Sequence, residues 1–477
     1  MKPRLTLIAL LAMAASCVSQ VQLPGTPAGR QFANWLAAFN SGEQEVYRQF
    51  LQQNFPSRLD AVPRDMDLRE RTGGFDLRKV EESGEQSIVV LVQERGSDQF
   101  ARLRLELEPA EPHHIARFEA RAIPAPAEFA LPHLSEQELV AAARNKLQSD
   151  AAAGRFAGAA LIARGGRPIF EQAYGLADHE AKIPNTLNTR FRIGSMNKMF
   201  TAVATLQLAE AGKIGLDDPL GKYLADYPNK DVAQKVTIRH LLTHTGGTGD
   251  IFTPEFEKHR LELRTLGDYV KLYGARGLLF EPGSRWDYSN YGFILLGVII
   301  EKASGQSYYD YVRDHIYRPA GMVSTASEPE EQPVPNRSVG YTRAENGGAW
   351  VRNTDTLPYR GSSAGGGYST VADLLAFANA LEQHKLLNPR YTDMLTTGQV
   401  DTPNGRYAFG FGDRMVNGTR CYGHGGGAPG MNGELEICPA AGYVVAVLAN
   451  MDPPAATRES AFITNRLPSP EPPSRTK

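Results

Sequence analysis

Ser195 and Lys198 lie three residues apart, directly before the apolar run from Met199 to Ala211. Residues at this spacing share one face of a helix, so the hydroxyl and the amine can meet. A serine hydroxyl becomes a good nucleophile when a neighbouring base takes its proton, and a partly desolvated lysine can act as that base. A helix that begins here also presents free backbone N–H groups, which suit a developing oxyanion. The segment predicts nucleophilic catalysis, although the spacing alone is common in long chains.

Two further segments supply groups that could work with this pair. Tyr288 and Asn290 come just before the apolar helix predicted from Phe293 to Ala303. The phenol can relay a proton, and the amide can bind a substrate carbonyl. His424 is followed by three glycines on a predicted strand edge, where missing side chains let a substrate backbone approach closely. Each segment also has a plain structural interpretation. The first could be a turn that enters a helix, and the second a flexible Gly-rich hairpin.

Two other segments match catalytic or metal-binding motifs, but we interpret both as structural. The segment from Gly361 to Gly365 has the spacing of a nucleophile elbow, but more glycines follow where that elbow needs a helix. We therefore predict a loop near the cleft. His240 and His244 are four residues apart, as in zinc-binding helices, yet the accompanying glutamate is missing and Gly246 follows closely. We predict no metal and no other cofactor, and place His244 in a loop at the cleft mouth.

The chain is expected to form a small domain and a large one. Its 477 residues exceed what one ordinary hydrophobic core accommodates. From residue 24 to 122, helical spacing comes first and strand-like alternation follows, which predicts a small α+β domain. The Pro-rich segment from Ile123 to Ala127 is a stiff linker. A second domain is predicted from 135 to 466, and the Pro- and Ser-rich tail from 467 to 477 is predicted to be disordered.

The N-terminus has the pattern of a secretory signal peptide, which we place at residues 1 to 19. Lys2 and Arg4 precede an apolar run that is too short to span a bilayer, and small residues follow. The protein is therefore expected to be secreted or periplasmic, with no transmembrane helix after removal of the signal. The residues before Cys17 loosely match a lipobox, so a lipid anchor at this cysteine is an alternative.

The remaining cysteines, Cys421 and Cys438, flank the Gly-rich segment. In an exported protein they could form a disulfide across a hairpin, and two buried free thiols are an equally good interpretation. The formal net charge of -2 and the scattered basic residues give no reason to expect a nucleic acid or an anionic membrane as partner. A small-molecule or peptide substrate is the expected partner.

Taken together, the segments resemble the motifs of the serine β-lactamase and penicillin-recognising superfamily, in the branch of class C β-lactamases, D-alanyl-D-alanine carboxypeptidases and esterases. The three main elements of that resemblance are Ser195 to Lys198, Tyr288 to Asn290 and His424 to Gly426. Supporting segments are Thr237 to Gly247 and Gly365 to Thr370. The resemblance implies a two-lobe fold, with an α/β lobe built on an antiparallel sheet flanked by helices and a second, all-helical lobe.

The resemblance also implies a role for each site residue. Ser195 would attack a carbonyl and form an acyl-enzyme, while Lys198 and Tyr288 would share the general-base and general-acid work. The backbone N–H groups of Ser195 and Gly427 would form the oxyanion hole. The substrate-binding residues would be Asn290, His424, Gly425 and Gly426. The amide of Asn290 would orient the acyl group or Lys198.

His424 departs from the lysine that class C β-lactamases usually carry at this place. A lysine there keeps a positive charge against a substrate carboxylate, whereas an unperturbed histidine, with a pKa of about 6.5, is mostly neutral at pH 7. The departure weakens a β-lactamase assignment and fits the peptidase and esterase members. We expect substrates that bear a carboxylate to be handled better as the pH falls toward about 6.

The first domain resembles, at low specificity, the α+β cone of the nuclear transport factor 2 superfamily, mainly through Ala37 to Gly42. It contains no nucleophile constellation, so we expect an accessory or binding role, for example recognition of a wall fragment or of a dimer partner. For the whole chain, the leading hypothesis is an exported serine hydrolase that cleaves a D-amino-acid peptide or a small acyl ester. The alternatives are β-lactamase activity and a non-catalytic, penicillin-binding-like sensor or binding protein.

Overall fold

The computed structural model describes residues 21–343, 349–403 and 405–469. The expected signal peptide, Cys17 and residues 470–477 of the expected tail lie outside this range. The chain forms two compact units that divide between Pro126 and Ala127. None of the helices in the described ranges combines the length and the hydropathy needed to cross a membrane. The finer domain boundaries given above stay predictions.

The first unit packs three helices against a four-stranded antiparallel sheet. Its elements are α1 (Pro27–Ser41), α2 (Gln44–Asn54), α3 (Val62–Thr72), β1 (Phe75–Ser83), β2 (Ser87–Glu94), β3 (Phe100–Leu107) and β4 (Ile115–Ile123). The strands pair in chain order, so each is joined to the next by a hairpin. Thr26 caps α1 by accepting the N–H of Gly29, and Gly42 ends that helix in the left-handed conformation.

An aromatic core fills the space between these helices and the sheet. The ring of Trp35 stacks on Phe39 with centroids 5.2 Å apart and lies 4.5 Å from the ring of Phe118. The buried carboxylate of Asp65 accepts two hydrogen bonds from Arg58, so the charge in this core is paired. The predicted order of helices followed by an antiparallel meander is confirmed, while the likeness to the nuclear transport factor 2 superfamily stays a prediction.

The second unit contains a large antiparallel sheet, with a helical region between two of its strands. Its first elements are α4 (Glu136–Ala152), β5 (Gly158–Arg164), β6 (Arg167–Tyr174), β7 (Leu176–Asp178), β8 (Ile183–Pro184), β9 (Phe191–Arg192) and α5 (Asn197–Glu210). The helical region consists of α6 (Lys230–Lys235), α7 (Ile238–Leu242), α8 (Pro254–His259), α9 (Leu266–Tyr273), α10 (Asn290–Ser304), α11 (Tyr308–Val312) and α12 (Arg318–Ala320). The remaining elements are β10 (Tyr341–Arg343), β11 (Trp350–Arg352), β12 (Tyr368–Ser369), α13 (Val371–Glu382), α14 (Pro389–Thr396), β13 (Val400–Thr402), β14 (Gly405–Tyr407), β15 (Gly412–Val416), β16 (Thr419–Ala428), β17 (Met431–Cys438), β18 (Tyr443–Ala449) and α15 (Ala455–Thr464).

Eight strands form the main sheet, in the order β13-β14-β15-β16-β17-β18-β5-β6. Helices α4 and α15 cover one face, where Leu147 and Ile463 pack with Val445. Helices α5 and α13 cover the other face, where Phe200 and Leu374 belong to the largest core. Strands β17 and β18 are buried along their whole length, as expected for strands covered on both faces. The predicted antiparallel sheet flanked by helices is confirmed.

Helices α5 and α10 are apolar around most of their circumference and lie in the middle of the second unit. A helix with this composition must be surrounded by protein on all sides. The N-terminal ends of these two helices carry Lys198 and Asn290. Their deep burial therefore fixes the positions from which the predicted site is built.

Cys421 of β16 and Cys438 of β17 face each other across the hairpin and form a disulfide, with Cα atoms 4.2 Å apart. Of the two interpretations that the sequence left open, the structure shows the bonded one. The disulfide joins the strand that carries His424 to its neighbour, three residues from that histidine.

Candidate active site

Ser195 lies in a short 3₁₀ turn, Gly194–Met196, that leads directly into α5. Lys198 is the second residue of the helix and is fully buried, and its Nζ lies 3.1 Å from Oγ of Ser195. The hydroxyl and the amine therefore meet. The serine lies in the turn before the helix and not in the helix itself, because the chain enters α5 through the tighter 3₁₀ geometry.

The amine of Lys198 has two further partners, and both are acceptors. Nζ donates to Oδ1 of Asn290 at 2.7 Å and to the carbonyl oxygen of Ala364 at 2.6 Å. Burial lowers the pKa of Lys198 to about 7, so the neutral amine is accessible near neutral pH. A neutral amine has two N–H groups and one lone pair. With both N–H groups engaged, the lone pair is left for the hydroxyl proton of Ser195.

Asp250 fixes the orientation of the Asn290 amide. Its carboxylate accepts hydrogen bonds from the backbone N–H and from Nδ2 of Asn290, each at 3.1 Å. Because Nδ2 points to Asp250, Oδ1 points to Lys198. The negative charge of Asp250 also raises the pKa of Lys198, against the larger effect of burial. Sequence reasoning missed Asp250, and the only available signal was its place three residues after the Thr237 to Gly247 segment.

The carbonyl group of Ala364 belongs to the loop from Gly361 to Gly365, the segment with elbow-like spacing. Each of its first four carbonyl groups accepts a side-chain hydrogen bond. The donors, in chain order, are Tyr309 Oη at 3.0 Å, Asn197 Nδ2 at 3.0 Å, Thr201 Oγ1 at 2.7 Å and Lys198 Nζ. Three of these donors belong to α5. The segment is a loop that positions an acceptor for the lysine, a role that its sequence did not indicate.

Tyr288 lies in the loop before α10 and is half-buried. The centre of its ring is 4.7 Å from Nζ of Lys198. Burial raises the pKa of the phenol and the charge of Asp250 adds to this effect, whereas a hydrogen bond with Ser195 opposes it. The phenol therefore stays protonated at neutral pH and can donate a proton beside Ser195.

The Gly-rich part of β16 lies against the turn that holds Ser195. A Cβ atom on Gly426 would lie 1.9 Å from the carbonyl oxygen of Ile193, and one on Gly194 would lie 3.0 Å from the backbone nitrogen of Gly427. Only residues without side chains permit this approach. The structure thus makes neighbours of the Ser195 and Gly427 backbones, the two predicted oxyanion donors.

His424 also projects from β16 and lies beside Tyr288, with ring centroids 6.4 Å apart. Burial, with a smaller contribution from the charge of Lys198, lowers the pKa of His424 to about 3. The imidazole is therefore neutral at pH 6 as well as at pH 7. This lowered pKa argues against the expected gain for carboxylate substrates near pH 6, which assumed an ordinary histidine pKa.

His244 is buried behind Tyr288, with ring centroids 4.2 Å apart, and not at the cleft mouth. Its backbone adopts a left-handed conformation, with φ of 58°, that residues other than glycine rarely take. The ring is held inside by hydrogen bonds with the backbone N–H of Ser289 and with Tyr407. His240 points elsewhere, because its Nδ1 accepts the backbone N–H of the residue that caps α7.

Residues 141–467 match the family model described as Beta-lactamase. The chain belongs to the Beta-lactamase family. This match covers more than half of the chain and begins after the first unit. The family contains hydrolases of several kinds, and members similar to this chain are named as penicillin-binding proteins, amidohydrolases and esterases.

Two curated members of the Beta-lactamase family show the extent of the similarity. Penicillin-binding protein 4* of Bacillus subtilis (strain 168) is 33% identical over 297 residues, which cover 58% of this chain and 64% of that protein. Esterase EstB of Burkholderia gladioli is 34% identical over 192 residues, which cover 37% of this chain and 49% of the esterase. The chain thus spans less than two thirds of the length of either relative.

Solved structures with similar folds cover about two thirds of the chain. A penicillin binding protein from Bacillus halodurans matches with a TM-score of 0.61 and 34% identity, covering 66% of this chain and 98% of that one. A D-stereospecific amidohydrolase from Streptomyces sp. matches with a TM-score of 0.59 and 29% identity, covering 68% and 98%. The superfamily resemblance predicted from the motifs is confirmed.

Proposed function

We propose that this protein is a serine hydrolase that forms an acyl-enzyme at Ser195 and cleaves an amide or an ester. The observation that carries the proposal is the position of the Lys198 amine, 3.1 Å from the hydroxyl of Ser195, with two acceptors occupying its N–H groups. This arrangement directs the lone pair of a neutral lysine at the hydroxyl. Membership of a hydrolase family supports the same chemistry.

In the proposed acylation, Lys198 takes the proton of Ser195 while Oγ forms a bond to the substrate carbonyl carbon. The carbonyl oxygen becomes an oxyanion held by the backbone N–H groups of Ser195 and Gly427. Tyr288 donates its proton to the leaving amine or alkoxide as the scissile bond breaks. The phenolate then recovers a proton from the lysine ammonium. In deacylation, Lys198 accepts a proton from the attacking water as the water oxygen bonds to the acyl carbon. The bond between Oγ and that carbon then breaks, and the lysine ammonium returns the proton to Oγ of Ser195.

The proposed substrates are D-amino-acid peptides or amides and small acyl esters. Relatives named as a D-stereospecific amidohydrolase and as an esterase support these two classes. The proposed substrate-binding residues are Asn290, His424, Gly425 and Gly426. We further propose that the protein acts outside the cytoplasm, which the signal-like N-terminus and the Cys421–Cys438 disulfide support. A lipid anchor at Cys17 is the alternative to free export.

Labelling with a fluorophosphonate tests the nucleophile directly. We expect intact-mass measurement to find one adduct on the wild type and none on Ser195→Ala. Ser284→Ala, in an exposed loop, is the matched control and should be labelled like the wild type. Folded wild-type protein without an adduct would contradict the proposal and favour the sensor alternative. Hydrolysis of a D-amino-acid amide, an acyl ester and a β-lactam then ranks the substrate classes.

A further inference from the structure

A continuous row of hydrogen bonds runs from the backbone of Ser289 to the Gly-rich strand. The backbone N–H of Ser289 donates to Nδ1 of His244 at 3.1 Å. Nε2 of His244 lies 3.1 Å from Oη of Tyr407, which lies 3.0 Å from Nε2 of His424. Nδ1 of His424 lies 2.5 Å from the carbonyl oxygen of Gly425. Both ends of the row are main-chain groups of fixed polarity.

These fixed ends determine where each proton lies. Nδ1 of His244 must accept a hydrogen bond, so its neutral ring carries the proton on Nε2 and donates to Tyr407. The phenol has one proton, which it donates to Nε2 of His424. The proton of His424 then lies on Nδ1 and is donated to the carbonyl group of Gly425. One tautomer of each histidine therefore satisfies every partner in the row.

The surroundings of His424 oppose a second proton on its ring. The titratable groups that face it are Tyr407 from β14, Tyr288 from the loop before α10, His244 beyond Tyr407 and Lys198 from α5. The charge of Arg414 from β15 acts on it through the sheet, from the opposite face. Burial lowers the pKa of both imidazoles, and it raises the pKa of the Tyr407 phenol, so that the phenol stays a donor. His424 thus contributes no positive charge across the physiological pH range.

The two nearby cations are occupied by other partners. Lys198 directs its N–H groups at Asn290 and Ala364. Arg414 pairs with Glu436, and alternation along the strands places this pair on the face of the sheet opposite to His424. A substrate carboxylate placed against His424 would therefore lose its hydration without gaining an ion pair, which is costly.

Resting on the proposed function, we propose that Tyr407, held by His244, keeps His424 as the neutral tautomer and thereby makes this site select substrates whose leaving group carries no carboxylate. Such substrates are alkyl esters, aryl esters and primary amides. Peptides with a free C-terminal carboxylate next to the scissile bond are disfavoured. Tyr407 and His244 are positioning residues, because they act on the substrate through His424.

A pair of chromogenic esters tests the selectivity. One is the acetate ester of a nitrophenol that bears a carboxylate, and the other is the same ester with that carboxylate methylated. We expect the wild type to prefer the methylated ester in kcat/KM by about tenfold, a difference of about 1.4 kcal/mol, with a ratio that is flat from about pH 5 to about pH 8. His424→Lys should shift the ratio toward the carboxylate ester by a similar factor.

Tyr407→Phe separates positioning from a merely structural role. Without the phenol proton, Nε2 of His424 is free to accept one, so the pKa of the ring should rise from its lowered value and the ratio should begin to move toward the carboxylate ester at the acid end of the range. A structural role would lower both rates together and leave the ratio flat. Nitrogen NMR of the wild-type histidines provides a second measurement, which should show His424 protonated on Nδ1 alone down to about pH 5.

Two results would overturn the inference. One is a wild-type ratio that favours the carboxylate ester or that rises toward it as the pH falls, and the other is a His424 ring protonated on Nε2. Fluorophosphonate labelling of Ser195 in the same preparation distinguishes these failures from failure of the proposed function. A labelled serine with the wrong selectivity rejects only the inference, whereas an unlabelled serine rejects the hydrolase proposal.

Discussion

Asp250 and Lys198 are linked through the amide of Asn290, which donates Nδ2–H to the carboxylate at 3.1 Å and accepts Nζ–H of the lysine at 2.7 Å. The carboxylate thereby decides which end of the amide faces the base. Lys198 retains a lone pair for Ser195 only while Oδ1 faces it. The position of a half-buried acidic side chain thus controls the protonation chemistry of a fully buried amine.

Replacing this carboxylate should impair catalysis in a recognisable way. In Asp250→Asn the amide of Asn290 loses its fixed orientation, and we expect kcat to fall about tenfold or more. The charge that raises the pKa of Lys198 is also lost, so the pKa of the lysine falls and the acid limb of the kcat/KM profile moves to lower pH. Asp226→Asn, at an exposed position, is the control. An unchanged limb together with an unchanged kcat would reject this role.

The wild-type pH profile should report the lysine itself. Lys198 accepts the proton of Ser195 only when neutral, and burial lowers its pKa to about 7. Activity is therefore expected to be low below that pH and to rise with a single ionisation near about pH 7. Steady-state kcat/KM with a small acyl ester measures this rise. A limb near about pH 10, the ordinary range of a lysine, would contradict the assignment of Lys198 as the base.

Removal of the phenol should affect poor leaving groups most. In Tyr288→Phe no group remains to protonate a departing amine, so we expect amide hydrolysis to fall by about a hundredfold or more. A nitrophenyl ester, whose leaving group needs no proton, should lose less. Tyr391→Phe on α14 serves as the matched control. Equal losses on both substrates would show that Tyr288 acts on the nucleophile or on the fold, and not on the leaving group.

A methyl group on the Gly-rich strand should displace an oxyanion donor. In Gly426→Ala the new Cβ would lie 1.9 Å from the carbonyl oxygen of Ile193, so the strand must move away from the Ser195 turn. Loss of one oxyanion donor costs about a hundredfold in kcat. Gly277→Ala is the control, since its Cβ would meet no atom within 4 Å. Rates are compared after circular dichroism has shown that both variants fold.

The disulfide should contribute to the stability of the sheet. It spans a sequence separation of 17 residues, for which cross-linking of the unfolded chain stabilises by about 3 kcal/mol. The double variant with Cys421→Ala and Cys438→Ala should therefore unfold at a lower urea midpoint than the wild type. A reductant should lower the urea midpoint of the wild type by a similar amount. The double variant must be insensitive to the reductant. A wild type that is equally insensitive would indicate that the bond does not contribute.

The sequence predicted those parts of the site that lie close together along the chain. Ser195 and Lys198 are three residues apart, and Tyr288 and Asn290 are separated by one residue, so these spacings together indicated joint chemistry. Asp250 reaches Asn290, and the carbonyl group of Ala364 reaches the lysine, through the paths of two loops that no local pattern encodes. The two lobes were predicted through the family resemblance, because periodicity alone does not determine how strands are ordered in a sheet.

The histidines show why the remaining features could not be predicted. The hydrogen-bond partner of His424 Nε2 is Tyr407, which lies 17 residues earlier and on a different strand. The burial of His424 arises from elements that are far apart in the sequence. His244 was expected in a loop at the cleft mouth, yet its ring turns inward to its aromatic and backbone partners. In both cases long-range packing, and not the local sequence, sets the pKa.

The loop from Gly361 to Gly365 has a mechanical consequence for the site. Since each carbonyl group from 361 to 364 is held by a side chain of α5 or by Tyr309, no peptide plane in the loop can rotate independently without breaking a bond. We therefore expect the loop and α5 to move together. If the helical region tilts toward the sheet when a substrate enters, the nucleophile, its base and the acceptor behind that base keep their spacing. The site can then adapt its width while its proton-transfer geometry stays constant.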